Sequence, residues 1–160
     1  MSSSGHPPIL ESRLVAWPDE AACAASAVAL AARAALRDSF VELHGTLGAG
    51  KTTFARHLLH ALGVEGRVKS PTYAVMESYA LAGFDAAHFD FYRFNDPQEW
   101  EDAGFRDVFA APGLKLAEWP EKAEGLLPAA DLRIDIEIGF GEQRTARFAA
   151  LTPCGVELLP

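Results

Sequence analysis

The sequence predicts an α/β fold of three layers, a mixed and mostly parallel central sheet with helices on its two faces, and three observations carry this reading. The strand-like run Phe40-Val41-Glu42-Leu43-His44 passes through a glycine-rich turn, Gly45 to Thr53, straight into a helix-like run. Leu114-Lys115-Leu116-Ala117 reads as a short buried strand that delivers Glu118 and Trp119 at its C-terminal end, where ligands collect in open α/β sheets. Leu132, Ile134, Ile136 and Ile138 alternate with Arg133, Asp135 and Glu137, the period of a half-buried strand with one wet face.

In chain order, Ile9 to Trp17 is a first strand candidate. Pro18-Asp19-Glu20 then opens a helix expected to run to about Arg37, its acidic residues suiting the positive end of the helix dipole. In the helix after the glycine-rich turn, Phe54, Leu58, Leu59 and Leu62 mark one apolar face and Gly63 is placed to stop it. Arg67 to Tyr73 reads as a loop. Ala74 to Leu81 and Ala86 to Tyr92 read as strands joined across Gly83-Phe84-Asp85. Asp96 as N-cap, Pro97 at N1 and Glu99 at N3 signpost another helix, which Gly104 can end. Arg144 to Leu151 offers the late alternating strand an antiparallel partner across Gly139 to Gln143.

Length and composition bound the function. The 160 residues, 49% hydrophobic and 22% charged, suit one soluble domain over residues 9–160 behind a flexible Ser/Gly/Pro-rich tail over 1–8, with no room for a second catalytic domain. A net charge of −8 argues against a surface that grips RNA or DNA directly, because neutralising phosphates takes clustered Lys and Arg. Cys23 and Cys154 form neither a C-x-x-C pair nor a disulfide framework, which points to the reducing cytoplasm. The tail lacks the basic and apolar regions of a signal peptide, and Ala21 to Leu36 is too short and too weakly apolar to span a membrane.

The turn itself carries the chemistry. Gly45-Thr46-Leu47-Gly48-Ala49-Gly50-Lys51-Thr52-Thr53 is a Gly-x-x-x-x-Gly-Lys-Thr phosphate cradle between strand and helix, the unit of a P-loop NTPase-like fold. A triphosphate must be met by several backbone N–H groups at once, and glycines permit that close approach. Lys51 supplies a mobile charge to the β- and γ-phosphates, and the Thr52 hydroxyl stands where it can ligate magnesium. No Asn-Lys-x-Asp motif for reading guanine occurs, so ATP is favoured over GTP.

Such a loop needs a carboxylate near its metal, and three compete. Asp90 lies in the aromatic strand His88-Phe89-Asp90-Phe91-Tyr92-Arg93, Glu118 ends the Leu-Lys-Leu-Ala strand, and Asp135 already has an explanation as a solvated strand position. Pattern alone does not rank Asp90 against Glu118. Trp119 can stack on a purine or serve the core. Arg93 fits an ordinary ion pair better than a charge donor to the γ-phosphate, and His57 and His60 fit a solvated helix face better than a metal site.

In order, the loop followed by Phe54, then Val68-Lys69-Ser70-Pro71-Thr72-Tyr73, then His88 to Arg93, then Glu118-Trp119-Pro120, resemble the bacterial TsaE (YjeE) family over nearly the whole chain from about Pro18. The resemblance implies a small magnesium-dependent ATPase, weak alone, that joins TsaB- and TsaD-type partners. That assembly puts a threonylcarbamoyl group on the adenosine next to the anticodon of ANN-reading tRNAs, and ATP hydrolysis resets or regulates it. Contact with tRNA is then only indirect.

Carried over onto this sequence, the resemblance makes Gly48, Ala49, Gly50, Lys51, Thr52 and Thr53 ATP contacts, with Gly45 and Leu47 in the same loop. It makes Thr52 and Glu118 magnesium ligands, Asp90 a required acidic residue and second metal candidate, and Lys51, Asp90 and Glu118 the catalytic set. Trp119 flanks the nucleotide, Pro18 reaches the adenine, and Ser70-Pro71-Thr72-Tyr73 is a switch-like loop. One position departs: Thr46 stands where the family usually has Asp, so that Asp90 or Glu118 is the natural substitute in orienting the attacking water. Two other readings use the same loop, a small-molecule kinase and a nucleotide-dependent interaction module. The kinase is disfavoured because no Arg-rich lid follows the loop helix.

Overall fold

Seven strands build one sheet: β1 (Glu11–Trp17), β2 (Phe40–His44), β3 (Met76–Leu81), β4 (Phe84–Asp90), β5 (Leu114–Glu118), β6 (Leu132–Ile138) and β7 (Arg144–Ala150). The structure, a computed structural model, describes residues 8–68, 71 and 75–160. The spatial order is β1-β7-β6-β2-β5-β4-β3, with the central four strands parallel and antiparallel hairpins at both sides. The strand over Arg144 to Leu151 pairs with β6 as its alternation requires.

Side-chain alternation divides the sheet into two faces. Val41, Leu43, Leu116, Leu132, Ile134 and Ile136 face α1 (Glu20–Ala31) and α2 (Lys51–Ala61), joining Leu30, Leu58 and Leu59 in one buried cluster. Phe40, Ala87, Phe89, Phe91 and Ala117 face the other way, against Trp100 of α3 (Pro97–Asp102) and Phe105 of α4 (Phe105–Ala110). Their rings pack edge to face and stacked, Phe89 to Phe105 at 5.3 Å and Trp100 to Phe109 at 5.6 Å, which adds to the area they bury. A last turn, α5 (Pro153–Val156), follows β7.

Several boundaries differ from the sequence reading. Helix α1, capped by Asp19 accepting from the Ala22 amide at 2.9 Å, stops at Ala31 and not near Arg37. Arg33 turns extended and donates to the Leu159 carbonyl at 2.9 Å, and a short 3-10 turn over Ala34–Asp38 buries Leu36 completely. Alanine gives no stop signal, so tertiary contacts end the helix. Asp96 caps α3 by accepting from Gln98, and Gly104, in the left-handed region at φ 70°, both ends α3 and starts α4, which the pattern had not revealed. The hairpin turn of β3 and β4 is tighter than expected: Phe84 already pairs with Leu81. Residues 1–7 of the expected tail, Ala74, and Ser70, Thr72 and Tyr73 of the switch-like loop lie outside the described residues, while Pro71 is buried.

Candidate functional site

Three parallel strands end level with one another. Leu43 of β2 and Asp90 of β4 both stand opposite Glu118 of β5, so the loop leaving β2 and the acidic ends of β4 and β5 share one edge of the sheet. They enclose a cleft of about 310 Å³ lined by Leu47, Gly48, Gly50, Lys51, Thr52, Thr53, Asp90, Tyr92, Arg93, Glu118 and Trp119. Nine of the sequence-predicted site residues therefore meet in one place, with Tyr92 added and Arg93 brought in beside it.

The backbone of the loop demands its glycines. Gly45 has φ 153°, and a Cβ there would come 2.7 Å from the Ile136 carbonyl, so both conformation and space exclude a side chain. Gly50, at φ 114°, is the N-cap of α2 and offers no side chain to its first-turn amides. Those N–H groups, at the positive end of an 11-residue helix, form an anion-accepting end. Ala49 lies behind the loop, fully buried, its amide donating to the Thr46 carbonyl at 3.0 Å and its carbonyl accepting from Arg144 Nε at 3.0 Å. Gly45 and Ala49 thus shape the loop from beneath. Pro18 is exposed just past β1, whose last residue Trp17 stands opposite that same Arg144, and it does not line the cleft.

Lys51 is only 4% exposed, although the motif reading had it as a phosphate contact rather than a core position. Its ammonium donates to the carbonyls of Gly45 at 2.5 Å and Thr46 at 3.0 Å and sits 4.0 Å above the centre of the Trp119 ring. Burial pulls its pKa down, opposed by the negative charges of Glu118, Glu121 and Asp90. Trp119 itself is held in the left-handed region at φ 55°, a rare state for a side chain of this size and one that collects at functional sites. Its ring lies 5.0 Å from that of Tyr92, so an aromatic wall closes one side of the cleft.

Across from the lysine, the Thr52 hydroxyl donates to Glu118 Oε1 at 2.7 Å, and His88 Nε2 lies 2.7 Å from Oε2 of the same carboxylate. Glu118 is 2% exposed. Asp90 is half-buried, with its amide donating to the Val75 carbonyl at 2.8 Å and Oδ1 accepting from the Tyr92 amide at 3.0 Å. Asp135, the third acidic candidate, lies on the opposite sheet face in a two-point bond with Arg133 at 2.9 Å, which agrees with its reading as a strand-face position. His57 pairs with Glu20 of α1 at 2.9 Å and His60 with the Gly66 carbonyl at 2.8 Å. Among the described residues no group of three or more His, Cys, Asp or Glu could cage a metal. The hard oxygens of Thr52 and Glu118 suit magnesium, which keeps waters and phosphate oxygens as its other ligands.

A family model described as the threonylcarbamoyl adenosine biosynthesis protein TsaE matches residues 17–146, a span that includes every residue lining the cleft. The chain belongs to the TsaE family. The protein named tRNA threonylcarbamoyladenosine biosynthesis protein TsaE in Haemophilus influenzae is 44% identical over 119 residues, covering 74% of this chain and 75% of that one. Its namesake in Bacillus subtilis is 37% identical over 109 residues, 68% of each chain. The crystal structure of Bacillus subtilis YdiB superposes with a TM-score of 0.76 at 25% identity, covering 92% of this chain and 91% of that one. Membership of the TsaE family assigns the chain to tRNA threonylcarbamoyladenosine biosynthesis.

Two features of the TsaE-type cleft escaped the sequence reading. Tyr92 follows Asp90 by two positions in an aromatic run whose packing role masked it. His88 passed as part of the same run; only the pairing of β4 with β5 sets it beside Glu118. No helix among the described residues is long and apolar enough to cross a membrane.

Proposed function

We propose that this chain is the magnesium-dependent ATP-binding and ATP-hydrolysing subunit of the assembly that makes threonylcarbamoyladenosine next to the anticodon of ANN-reading tRNAs. It works with TsaB- and TsaD-type proteins, turns ATP over slowly alone, and resets or regulates the transferase instead of performing the transfer. The observation that carries this reading is the pairing of the Thr52 hydroxyl with the Glu118 carboxylate at 2.7 Å, at the mouth of a glycine-rich loop that opens α2.

The roles of the residues follow from where they stand. Amides of Gly48, Gly50, Lys51, Thr52 and Thr53 would hold the phosphates, and Lys51 would leave the Gly45 and Thr46 carbonyls for the β- and γ-phosphate oxygens. Thr52 and Glu118 would hold the magnesium ion, which supplies charge neutralisation for phosphoryl transfer to water. Asp90, level with Glu118 on the neighbouring strand, would orient the attacking water in place of the Asp that Thr46 replaces. Trp119, its ring 4.0 Å from the Lys51 ammonium, would flank the phosphate end of the nucleotide and exclude water from one side.

A net charge of −8 supports leaving the tRNA to partners, and the free thiols of Cys23 and Cys154 support a cytoplasmic setting. The test is ATP hydrolysis by the purified chain with and without TsaB- and TsaD-type partners. Stimulation in their presence is expected. Phosphate appearing on an added metabolite instead of in water would replace this reading with a kinase.

A further inference from the structure

We propose that His88 is a positioning residue for the metal site: its imidazole holds the Glu118 carboxylate in the orientation that lets Glu118 and Thr52 act together on a divalent cation. The inference rests on the magnesium-nucleotide reading above and adds to it a third side chain behind the cation.

Thr52, Glu118 and His88 form a short chain of hydrogen bonds. Oε1 of Glu118 accepts from Thr52 Oγ1 and Oε2 takes His88 Nε2, each at 2.7 Å, so both carboxylate oxygens are fixed from different elements, α2 and β4. His88 is fully buried, and its bond to Glu118 links two side chains no more than 2% exposed. Because the carboxylate can only accept, the bond assigns the ring hydrogen to Nε2.

The other ring nitrogen decides between a packing role and a positioning one. Nδ1 of His88 is buried and has no hydrogen-bond partner among the described residues. A polar ring kept in a core for packing alone would be replaced at no loss by an apolar one, since an unpaired buried nitrogen only destabilises. On the same strand face its neighbour two residues before is Ala86, wholly apolar and buried. Among the described residues, the feature of this site that calls for imidazole is the Glu118 oxygen. Second groups of this kind, set behind a metal-binding carboxylate or histidine, commonly change metal affinity by about 10- to 100-fold when removed.

The experiment compares His88→Gln with His88→Asn. Both are polar; glutamine is close in volume to the original and its amide reaches the place of Nε2, whereas the amide of the smaller asparagine reaches only that of Nδ1. Circular dichroism and melting check that each folds. Tryptophan emission, to which Trp119 in the cleft contributes beside Trp17 and Trp100, is followed at fixed ATP while MgCl2 is titrated, and ATP binding in EDTA serves as the metal-free control. The expected result is a magnesium half-saturation near wild type for His88→Gln and raised about tenfold or more for His88→Asn, with metal-free ATP binding unchanged in both. Equal magnesium titrations for wild type and a folded His88→Asn overturn the inference and leave the nucleotide reading intact. An equal shift in both variants also overturns it, since donor reach would then be irrelevant. Failure of the wild-type chain itself to bind magnesium-ATP overturns the nucleotide reading and this inference with it.

Discussion

Thr52 Oγ1 donates to Glu118 Oε1 across 2.7 Å, and that one bond ties the first turn of α2 to the last residue of β5. It brings a hydroxyl and a carboxylate from distant parts of the chain to the mouth of the glycine-rich loop. Everything attributed to the cleft depends on those two oxygens being neighbours.

Removing the carboxylate separates metal from nucleotide. Glu118→Ala is expected to retain part of its ATP affinity and to lose its dependence on magnesium, read by titrating MgCl2 at fixed ATP. An unchanged titration would transfer the ligand role to Asp90. The alanine variant also strands His88, so a loss of about 1–3 kcal/mol in stability is expected, less for Glu118→Gln, whose amide oxygen can still accept.

Lys51→Ala is expected to abolish ATP binding in calorimetry. The fold survives, but not without cost: the ammonium bonds two loop carbonyls from a buried position, so the stability read from the melting curve should fall by about 1–2 kcal/mol. A variant that binds ATP like wild type would show that the loop is not the phosphate site.

Trp119 should report on the site directly. Its ring lies over Lys51 at 4.0 Å, so drawing the ammonium towards a phosphate must change its surroundings, and ATP is expected to alter its fluorescence. Trp119→Ala should weaken ATP binding several-fold by opening the phosphate end of the cleft to water, with smaller loss for Trp119→Phe. Equal affinities for all three would show that this wall does not touch the nucleotide.

The buried thiol predicts a pH effect away from the cleft. Burial, with a smaller push from Glu20, raises the Cys23 pKa from its ordinary 9.0 to about 11. The unfolded chain therefore loses this proton first, so the contribution is intact below pH 9 and fades as pH rises through 11. Denaturant midpoints of wild type should fall between those values more steeply than those of Cys23→Ala. Parallel slopes would show that the thiol is accessible.

What the sequence made legible was local. The strand, loop and helix around Gly45 to Thr53 obey period and turn chemistry within a short window, and β6 declares itself by strict alternation of Ile and charge. The rest depends on distance. Helix α1 ends where Arg33 finds the Leu159 carbonyl, far along the chain, and nothing in an alanine run announces it. Helix α4 starts on a left-handed glycine with no capping side chain, so the usual signal is missing. Asp90 and Glu118 could not be ranked because the answer is one of sheet register: they stand side by side on β4 and β5, and the pairing of β2 with β5 is what brings Thr52 to Glu118. His88 was hidden for the same reason.

The most direct measurement is a crystal structure of the chain grown with magnesium and a non-hydrolysable ATP analogue. The account predicts triphosphate density wrapped by the amides of Gly48 and of Gly50 to Thr53, Lys51 turned from the Gly45 carbonyl to a phosphate oxygen, and a metal between Thr52 and Glu118. Nucleotide bound elsewhere with Lys51 still on the loop carbonyls, or no bound nucleotide at saturating concentration, would contradict it.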